Sequence, residues 1–349
     1  MKSEKPNHID SSAAGKLIAR RKRKLDADEL ISKICEGNTT ALSRAITLVE
    51  STASTHQQIA QQVLEGCLPH ANQSVRIGIT GVPGVGKSTF IEALGNHVIK
   101  NGKKLAVLAI DPSSSVSHGS ILGDKTRMEQ LSKNANAFIR PSAAGDSLGG
   151  VARKTREAIM LCEAAGYDVI FIETVGVGQS ETAVHAMTDF FLLLKLAGAG
   201  DELQGIKRGI MEMADCIVIN KADGENVNAA KHAKNAFAKA LHLYPRKASD
   251  WQPKTKLCSA INREGITEIW ELIESYFEQV KTSGFFEENR ENQNIYWLKS
   301  SIENALKDRF FNNPKIQEAL SKQLNAINAG ETTPFLAAQL LLDLNNTQK

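Results

Sequence analysis

The sequence predicts a doubly wound α/β fold: a mostly parallel sheet with helices on both faces, and helical extensions at each end. Three observations carry this. Strand-length apolar runs alternate with longer helical patterns through the middle of the chain. Several of those runs, such as Val169-Ile170-Phe171-Ile172, are apolar without alternation, as a strand buried on both faces requires. A glycine-rich segment, Gly81-Val82-Pro83-Gly84-Val85-Gly86-Lys87-Ser88-Thr89, sits between one such strand and a helix. In such a sheet a ligand is expected outside the carboxyl ends of the strands.

In chain order, residues 1 to about 15 are polar and expected to be disordered. From Asp28 to about Cys67 the pattern is helical, broken at Glu36-Gly37-Asn38 and near Ser54. Leu68 to Gln73 reads as a linker. Strands are expected at 76–80, 104–110, 137–140, 168–173, 190–196, 216–220 and 256–258. Helices are expected at 87–100, 151–165, 225–243 and 266–280. Beyond Ser283-Gly284, the residues Ile295, Leu298, Ile302, Leu306 and Phe310 form an apolar stripe at helical spacing. Pro314 opens another helix. Thr332-Thr333-Pro334 opens a last one, with Leu336, Leu340, Leu341 and Leu344 apolar. The expected organisation is an N-terminal helical extension (1–72), the α/β domain (73–282) and a C-terminal helical arm (283–349). The arm must cover its stripe on this chain's own domain or on a second copy.

Composition narrows the function classes. Of 349 residues, 42% are hydrophobic and 23% charged, ordinary for a globular protein. A net charge of +3 gives no argument for nucleic acid. The basic run Arg20-Arg21-Lys22-Arg23-Lys24 is followed at once by Asp26, Asp28 and Glu29 and has no interleaved aromatic, so it reads as a solvated segment. No stretch reaches the ~18 apolar residues that span a bilayer, and no membrane association is expected. The N-terminus lacks the apolar core of a secretion signal. A cytoplasmic location is expected, or the mitochondrial matrix if the source is eukaryotic. The five cysteines are scattered, without C-x-x-C, and indicate neither a disulfide framework nor a thiolate metal site.

Two motifs carry the chemistry. Gly81 to Thr89 fits G-x-x-x-x-G-K-[ST], the phosphate-binding P-loop, in its required strand–loop–helix setting. Glycines let backbone N–H groups approach phosphates, and the helix aims its positive end at the same place. Lys87 is expected to reach the β- and γ-phosphates and Ser88 to ligate Mg²⁺. The second motif is Asn220-Lys221-Ala222-Asp223, at the end of the strand from Cys216. A carboxylate at Asp223 can accept from N1–H and N2–H₂ of guanine, which adenine cannot match. The Lys221 stem can lie over the base, and the Asn220 amide can tie loops together. A later strand runs into Ser259-Ala260, where a backbone N–H can donate to guanine O6. Such polar pairs discriminate strongly, because the wrong base leaves buried groups unpaired. The expected ligands are GTP or GDP with Mg²⁺.

Acids stand where a metal and a nucleotide switch would need them. Asp111 and Glu173 end strands on the P-loop side, and both suit a magnesium role. Glu173-Thr174-Val175-Gly176 brings a glycine whose N–H can touch the γ-phosphate.

The ordered set GVPGVGKST, DPSSS, GSILGDKTRM, ETVGVGQSE, LAGAGDELQGIKRG, NKAD and WQPKTKLCSA resembles the MeaB/ArgK group of SIMIBI-class P-loop GTPases, over about residues 30 to 280. The resemblance implies a homodimeric G-protein that gates adenosylcobalamin delivery to an acyl-CoA mutase, methylmalonyl-CoA mutase above all, and protects it. It implies Asp111, Asp124 and Glu173 as magnesium and switch acids. It also implies Leu196 to Lys207 as a third switch loop, with Lys207 the signalling contact. One departure is visible: His118-Gly119 stands where the group has Gly-Gly. Some members carry an older label as kinases or ATPases of amino-acid transport. Against an ATP-using kinase stands Asp223; against a nickel-insertion GTPase stands the lack of any histidine array. An intact Lys87 and acid set argues against a module that does not hydrolyse nucleotide. Val177 occupies the position where a Ras-like enzyme has its water-orienting glutamine, so intrinsic turnover is expected on the order of 10⁻³ s⁻¹ or below.

Overall fold

The computed structural model describes residues 26–110, 128–141, 148–174, 180–198 and 208–346. Seven strands form one sheet in the order β3-β2-β4-β1-β5-β6-β7, and every pairing is parallel. They are β1 (Val75–Gly81), β2 (Leu105–Ile110), β3 (Ala137–Arg140), β4 (Val169–Thr174), β5 (Phe190–Leu196), β6 (Cys216–Asn220) and β7 (Lys254–Leu257). The expected "mostly parallel" sheet is thus parallel throughout. β3, β5 and β6 have the expected limits; the other strands differ by one or two residues, most at β7. There Lys254 and Thr255 join the ladder to Cys216 and Ile217, while Cys258 leaves it.

Strand alternation sends side chains to two helical layers. Ile77, Ile79, Val169, Phe171, Leu192 and Leu194 pack under α4 (Lys87–Lys100) and, later in the chain, α10 (Ile266–Thr282). On the other face, Ile170, Ile172 and Phe191 meet three N-terminal helices. These are α1 (Ala27–Cys35), α2 (Thr39–Glu50) and α3 (Ser54–Cys67), and α6 (Leu148–Ala164) joins them. The remaining short or peripheral helices are α5 (Glu129–Ser132), α7 (Ser180–His185), α8 (Arg208–Met213) and α9 (Val227–Leu241). Each fully buried Phe or Ile contributes roughly 1.5–3 kcal/mol by leaving water. The N-terminal helices break where the sequence turns polar. Asn38 caps α2 by accepting from Ala41 N–H at 2.9 Å.

The segment Leu68 to Gln73, expected as a linker, is tied down. Asn72 adopts φ +70° and its N–H donates to Glu163 at 2.8 Å. Glu163, on α6, is the centre of a buried ionic knot at the amino ends of the strands. It accepts from Arg76 Nε at 2.9 Å and from Ser74 Oγ at 2.7 Å. Arg290 reaches the same carboxylate at 3.6 Å and holds Asp189 at 2.5 Å.

Arg290 lies on α11 (Phe285–Phe311), the first helix of the C-terminal arm, followed by α12 (Pro314–Asn328) and α13 (Pro334–Asn346). The root of α11 is docked on the sheet. Gln293 donates to Thr188 O at 2.8 Å, and Trp297 Nε1 donates to Ala186 O at 2.9 Å. Farther out, Ile295, Leu298, Ile302 and Leu306 are all more than half exposed. Phe310 is partly buried. On α13, Leu341 is buried with Ala337, whereas Leu336, Leu340 and Leu344 are exposed. Among the described residues, no helix is long and apolar enough to cross a membrane. Cys67, Cys162, Cys216 and Cys258 are buried and behave as small apolar side chains; Cys35 is exposed.

The knot gives a stability prediction. Burial pushes the Glu163 carboxyl up, but Arg76, Ser74 and Arg290 outweigh it and hold it below the ordinary range. The lowered folded-state pKa means that this stabilisation is present at neutral pH and is lost as pH falls through that value. Glu163→Ala leaves Arg76, with a side chain only 5% exposed, without its counter-charge. Unfolding in urea at pH 7 is expected to lose about 3–5 kcal/mol. The deficit should shrink at acid pH, where the parent carboxylate is itself being protonated.

Candidate functional site

The carboxyl ends of β1, β4, β6 and β7 converge on one site. From β1 the chain enters the loop through Gly81; Val82, Pro83 and Gly84 are exposed, while Val85 is fully buried and anchors the turn in the α4 core. Gly84 and Gly86 have φ of +80° and +91°, the left-handed region that glycine enters without strain. Phe90 N–H is the first to bond backward along α4, to Gly86 O at 2.9 Å. That leaves the N–H groups of Lys87, Ser88 and Thr89 at an open helix start, the donor arrangement an anion requires.

Lys87 begins α4, and its ammonium folds over the loop to donate to Gly81 O at 2.8 Å and Val82 O at 3.4 Å. Burial pulls its pKa down, and the nearby carboxylates of Glu173 and Glu181 partly offset this. A half-buried ammonium pulled toward neutrality is stabilised by an arriving phosphate. Ser88 and Thr89 follow on the first turn; Ser88 is partly exposed and Thr89 exposed.

Glu173 ends β4 on the α4 face, following the alternation of Val169 and Phe171, and is buried. Thr174 points to the opposite face, where its hydroxyl meets Thr80 Oγ1 at 2.7 Å and ties β4 to β1. Glu181, 1% exposed on α7, was not singled out by sequence. Its signal was only the acid that closes the run after Glu173. The expected site residues Asp111, Asp124, Gly176 and Lys207, together with His118 and Val177, lie outside the described residues. Among the described residues no cluster of three or more His, Cys, Asp or Glu side chains could hold a metal. Ser88 and Glu173 flank Lys87, so the donor types suit a hard cation shared with phosphate oxygens.

The base side is built on β6 and β7. Asn220 is 2% exposed and bridges two loops. Its Nδ2 donates to Val85 O at 2.9 Å, and its Oδ1 accepts from Ala260 N–H at 3.3 Å. Lys221 adopts φ +56° and donates to Gly84 O at 2.9 Å. The N-K-x-D segment is therefore pinned onto the P-loop across the intervening strand β5. Asp223 is partly exposed and accepts from Ser259 Oγ. Of the two backbone N–H groups at Ser259-Ala260, where one donor is expected, that of Ser259 is taken by Glu264 O at 3.1 Å. Ala260 N–H, with only the long bond to Asn220, is the one left for a base oxygen.

With this geometry stand four likenesses. The family described as methylmalonyl Co-A mutase-associated GTPase MeaB matches residues 42–315. A probable GTPase of Mycobacterium tuberculosis is 49% identical over 320 residues, spanning 91% of this chain and 95% of that protein. The mitochondrial methylmalonic aciduria type A homolog of Mus musculus is 44% identical over 325 residues, spanning 90% and 78%. A crystal structure of an LAO/AO transport system kinase superposes with a TM-score of 0.74 at 38% identity, covering 92% of this chain and 97% of that one.

The loop's dependence on its neighbour separates two glycines. A Cβ on Gly86 would lie 2.9 Å from Asn220 Nδ2, whereas one on Gly84 would meet nothing within 4 Å. Gly84→Ala is expected to cost about 1–2 kcal/mol, the left-handed penalty alone. Gly86→Ala adds displacement of a buried amide hydrogen bond, about 1–3 kcal/mol more. Thermal unfolding of the two variants without nucleotide measures the difference; equal losses would show that Asn220 does not hold the loop.

Proposed function

We propose that this chain, which belongs to the MeaB family of methylmalonyl Co-A mutase-associated GTPases, binds GTP with Mg²⁺ and hydrolyses it slowly as a switch. In that role it gates adenosylcobalamin delivery to, and protects, a methylmalonyl-CoA mutase-type enzyme. The observation that carries the nucleotide reading is the junction of the two motifs. Asn220 and Lys221 bond to the P-loop carbonyls of Val85 and Gly84, so base-reading and phosphate-binding groups form one unit.

In this reading the N–H groups of Lys87, Ser88 and Thr89 and the Lys87 ammonium receive the phosphates, and no donor need be built at the moment of reaction. Asp223 and Ala260 N–H read guanine. Ser88, Asp111, Asp124 and Glu173 would hold Mg²⁺, directly or through water, and the ion would supply positive charge to the phosphates. Gly176 N–H is the group assigned to the γ-phosphate. Val177 cannot orient water, so the partner completes the site, and Leu196 to Lys207 carries its signal through Lys207. The exposed stripe on α11 is covered by a second copy, giving a homodimer. A kinase reading, which the name of one related structure raises, requires ATP, and Asp223 disfavours it.

Asp223→Asn should weaken GTP binding and improve xanthosine triphosphate relative to it, because xanthine carries an acceptor where guanine has its amino donor. The discrimination expected for such a pair is at least about tenfold, or 1.4 kcal/mol. Calorimetry with the two nucleotides measures it, and an unchanged preference would remove Asp223 from base reading.

The switch reading is tested by turnover with a cobalamin-dependent acyl-CoA mutase. The wild type is expected to be a dimer by light scattering and to be stimulated. Lys207→Ala should lose most of the stimulation while keeping basal hydrolysis and GTP affinity. A wild type that no such mutase stimulates would overturn the gating role while leaving the GTPase intact.

A further inference from the structure

The sheet has one edge that the nucleotide does not use. β3 ends the order and pairs only with β2. Leu105 N–H donates to Asn136 O at 2.9 Å, which fixes the phase of that ladder. The peptide groups of Asn136, Phe138 and Arg140 then face β2. Ala137 C=O and both groups of Ile139 face outward. Pro141, with no N–H, ends the edge.

This edge floors a groove of about 1030 Å³ whose opposite wall is α2. The inward face of α2 is apolar (Ala41, Leu42, Ala45, Ile46, Val49). The face toward the groove carries Thr39, Thr40, Ser43, Arg44 and Thr47. Threonine and serine are weak helix formers, and an exposed helix face gains nothing from them as helix residues. As groove lining they are hydrogen-bonding groups along a strand edge. The groove is also one-signed. Arg44, Lys133 and Arg140 line it, and no carboxylate does. Arg140 is engaged by Glu50 at the end of α2 and by Thr47, and Lys133 is engaged by Glu129. Arg44 is exposed and has no ion-pair partner among the described residues.

We propose that this groove is a docking site for an extended, acidic peptide segment of a partner protein, which adds a strand to β3. Its backbone pairs with Ala137 and Ile139, and its carboxylates face Arg44. Four strand residues at about 3.3 Å each fix the recognised length at roughly four to five residues. The chain's own N-terminal segment has the wrong sign to fill it, because Arg20 to Lys24 are all basic. The edge lies at the opposite end of the sheet from β7, so strand addition leaves the base-reading side untouched.

The test is fluorescence polarisation on the full chain with a labelled peptide, Glu-Val-Glu-Val-Glu-Val-Glu. Two controls are used: the same peptide with its central valine replaced by proline, and the lysine counterpart. Saturable binding of the acidic peptide is expected, weakening as salt rises. It should fall about tenfold or more in Arg44→Glu, which in turn should gain affinity for the lysine peptide. The proline peptide should bind at least about tenfold more weakly, having lost its ladder donor. Ile139→Pro removes the outward N–H, with GTP binding measured alongside as the check on folding. If that variant does not fold, the surface variant Arg44→Glu still decides. Equal binding of the proline peptide, unchanged affinity in Arg44→Glu, or no saturable binding overturns the proposal.

Discussion

The site depends on one contact, the buried Asn220 amide against the P-loop carbonyl of Val85. β5 separates β6 from β1, so the end of β6 reaches the loop only by extending past β5. It does so through Asn220 and through Lys221, whose backbone turns into the left-handed region. The reach is short enough that Gly86 has no room for a Cβ. A loop with two left-handed glycines would otherwise hold many conformations. Here its carbonyls are tied to β6 on one side and its Val85 side chain is buried in the core on the other. The phosphate donors are consequently in place before any ligand arrives, which is what makes such donors effective.

The opposite ends of the same strands hold the second constraint. Arg76 on β1, Glu163 on α6, Asp189 before β5 and Arg290 on α11 share two carboxylates between two guanidiniums, nearly all buried. Arg156 adds a third guanidinium beside them. Burial, with Arg76 and Arg290 close by, pulls it down to about 10, and Glu163 partly opposes the shift. Buried charge of this kind adds little net stability, but removing one partner is costly, so it specifies one arrangement. The arrangement specified is the seat of the C-terminal arm. Through Ala186 O, Thr188 O and Asp189, the root of α11 is fastened to the connection between α7 and β5.

This seat also marks the limit of what the sequence made legible. Continuous apolar runs announced the parallel sheet, and the two nucleotide motifs announced the site, because both signals are local. The α11 stripe was found by the same periodicity, yet Ile295, Leu298, Ile302 and Leu306 face away from the domain. The docked face is Phe286, Arg290, Gln293 and Trp297, spaced i, i+4, i+7 and i+11. Its mixed polarity gives no hydrophobic period to detect. Arg76 and Glu163 are 87 residues apart, and nothing in either segment names the other. Ser259 was legible as a base-side residue, but the use of its N–H depends on Glu264, which returns to it in an isolated bridge.

The two constraints stand at opposite ends of β1 and leave its surroundings unequal. Toward the carboxyl end, Lys87 is held by two loop carbonyls while Glu173 and Glu181 oppose the effect of its burial. An arriving phosphate competes for the same ammonium. The two acids then lose part of their hold on it. Glu173 and Glu181 stand on either side of residues 175–179 in the sequence. α7, which carries Glu181, ends at His185, directly before the Ala186 carbonyl that receives Trp297. The charge of Glu181 on α7 thus acts on the phosphate lysine, and the residue after α7 receives a hydrogen bond from the root of the arm. Contact alone does not establish coupling, which needs an element with two arrangements that both sites bias. α7 is the element to examine: one end carries an acid whose charge acts on Lys87, and the other adjoins the carbonyl that is bolted to the helix carrying the exposed stripe.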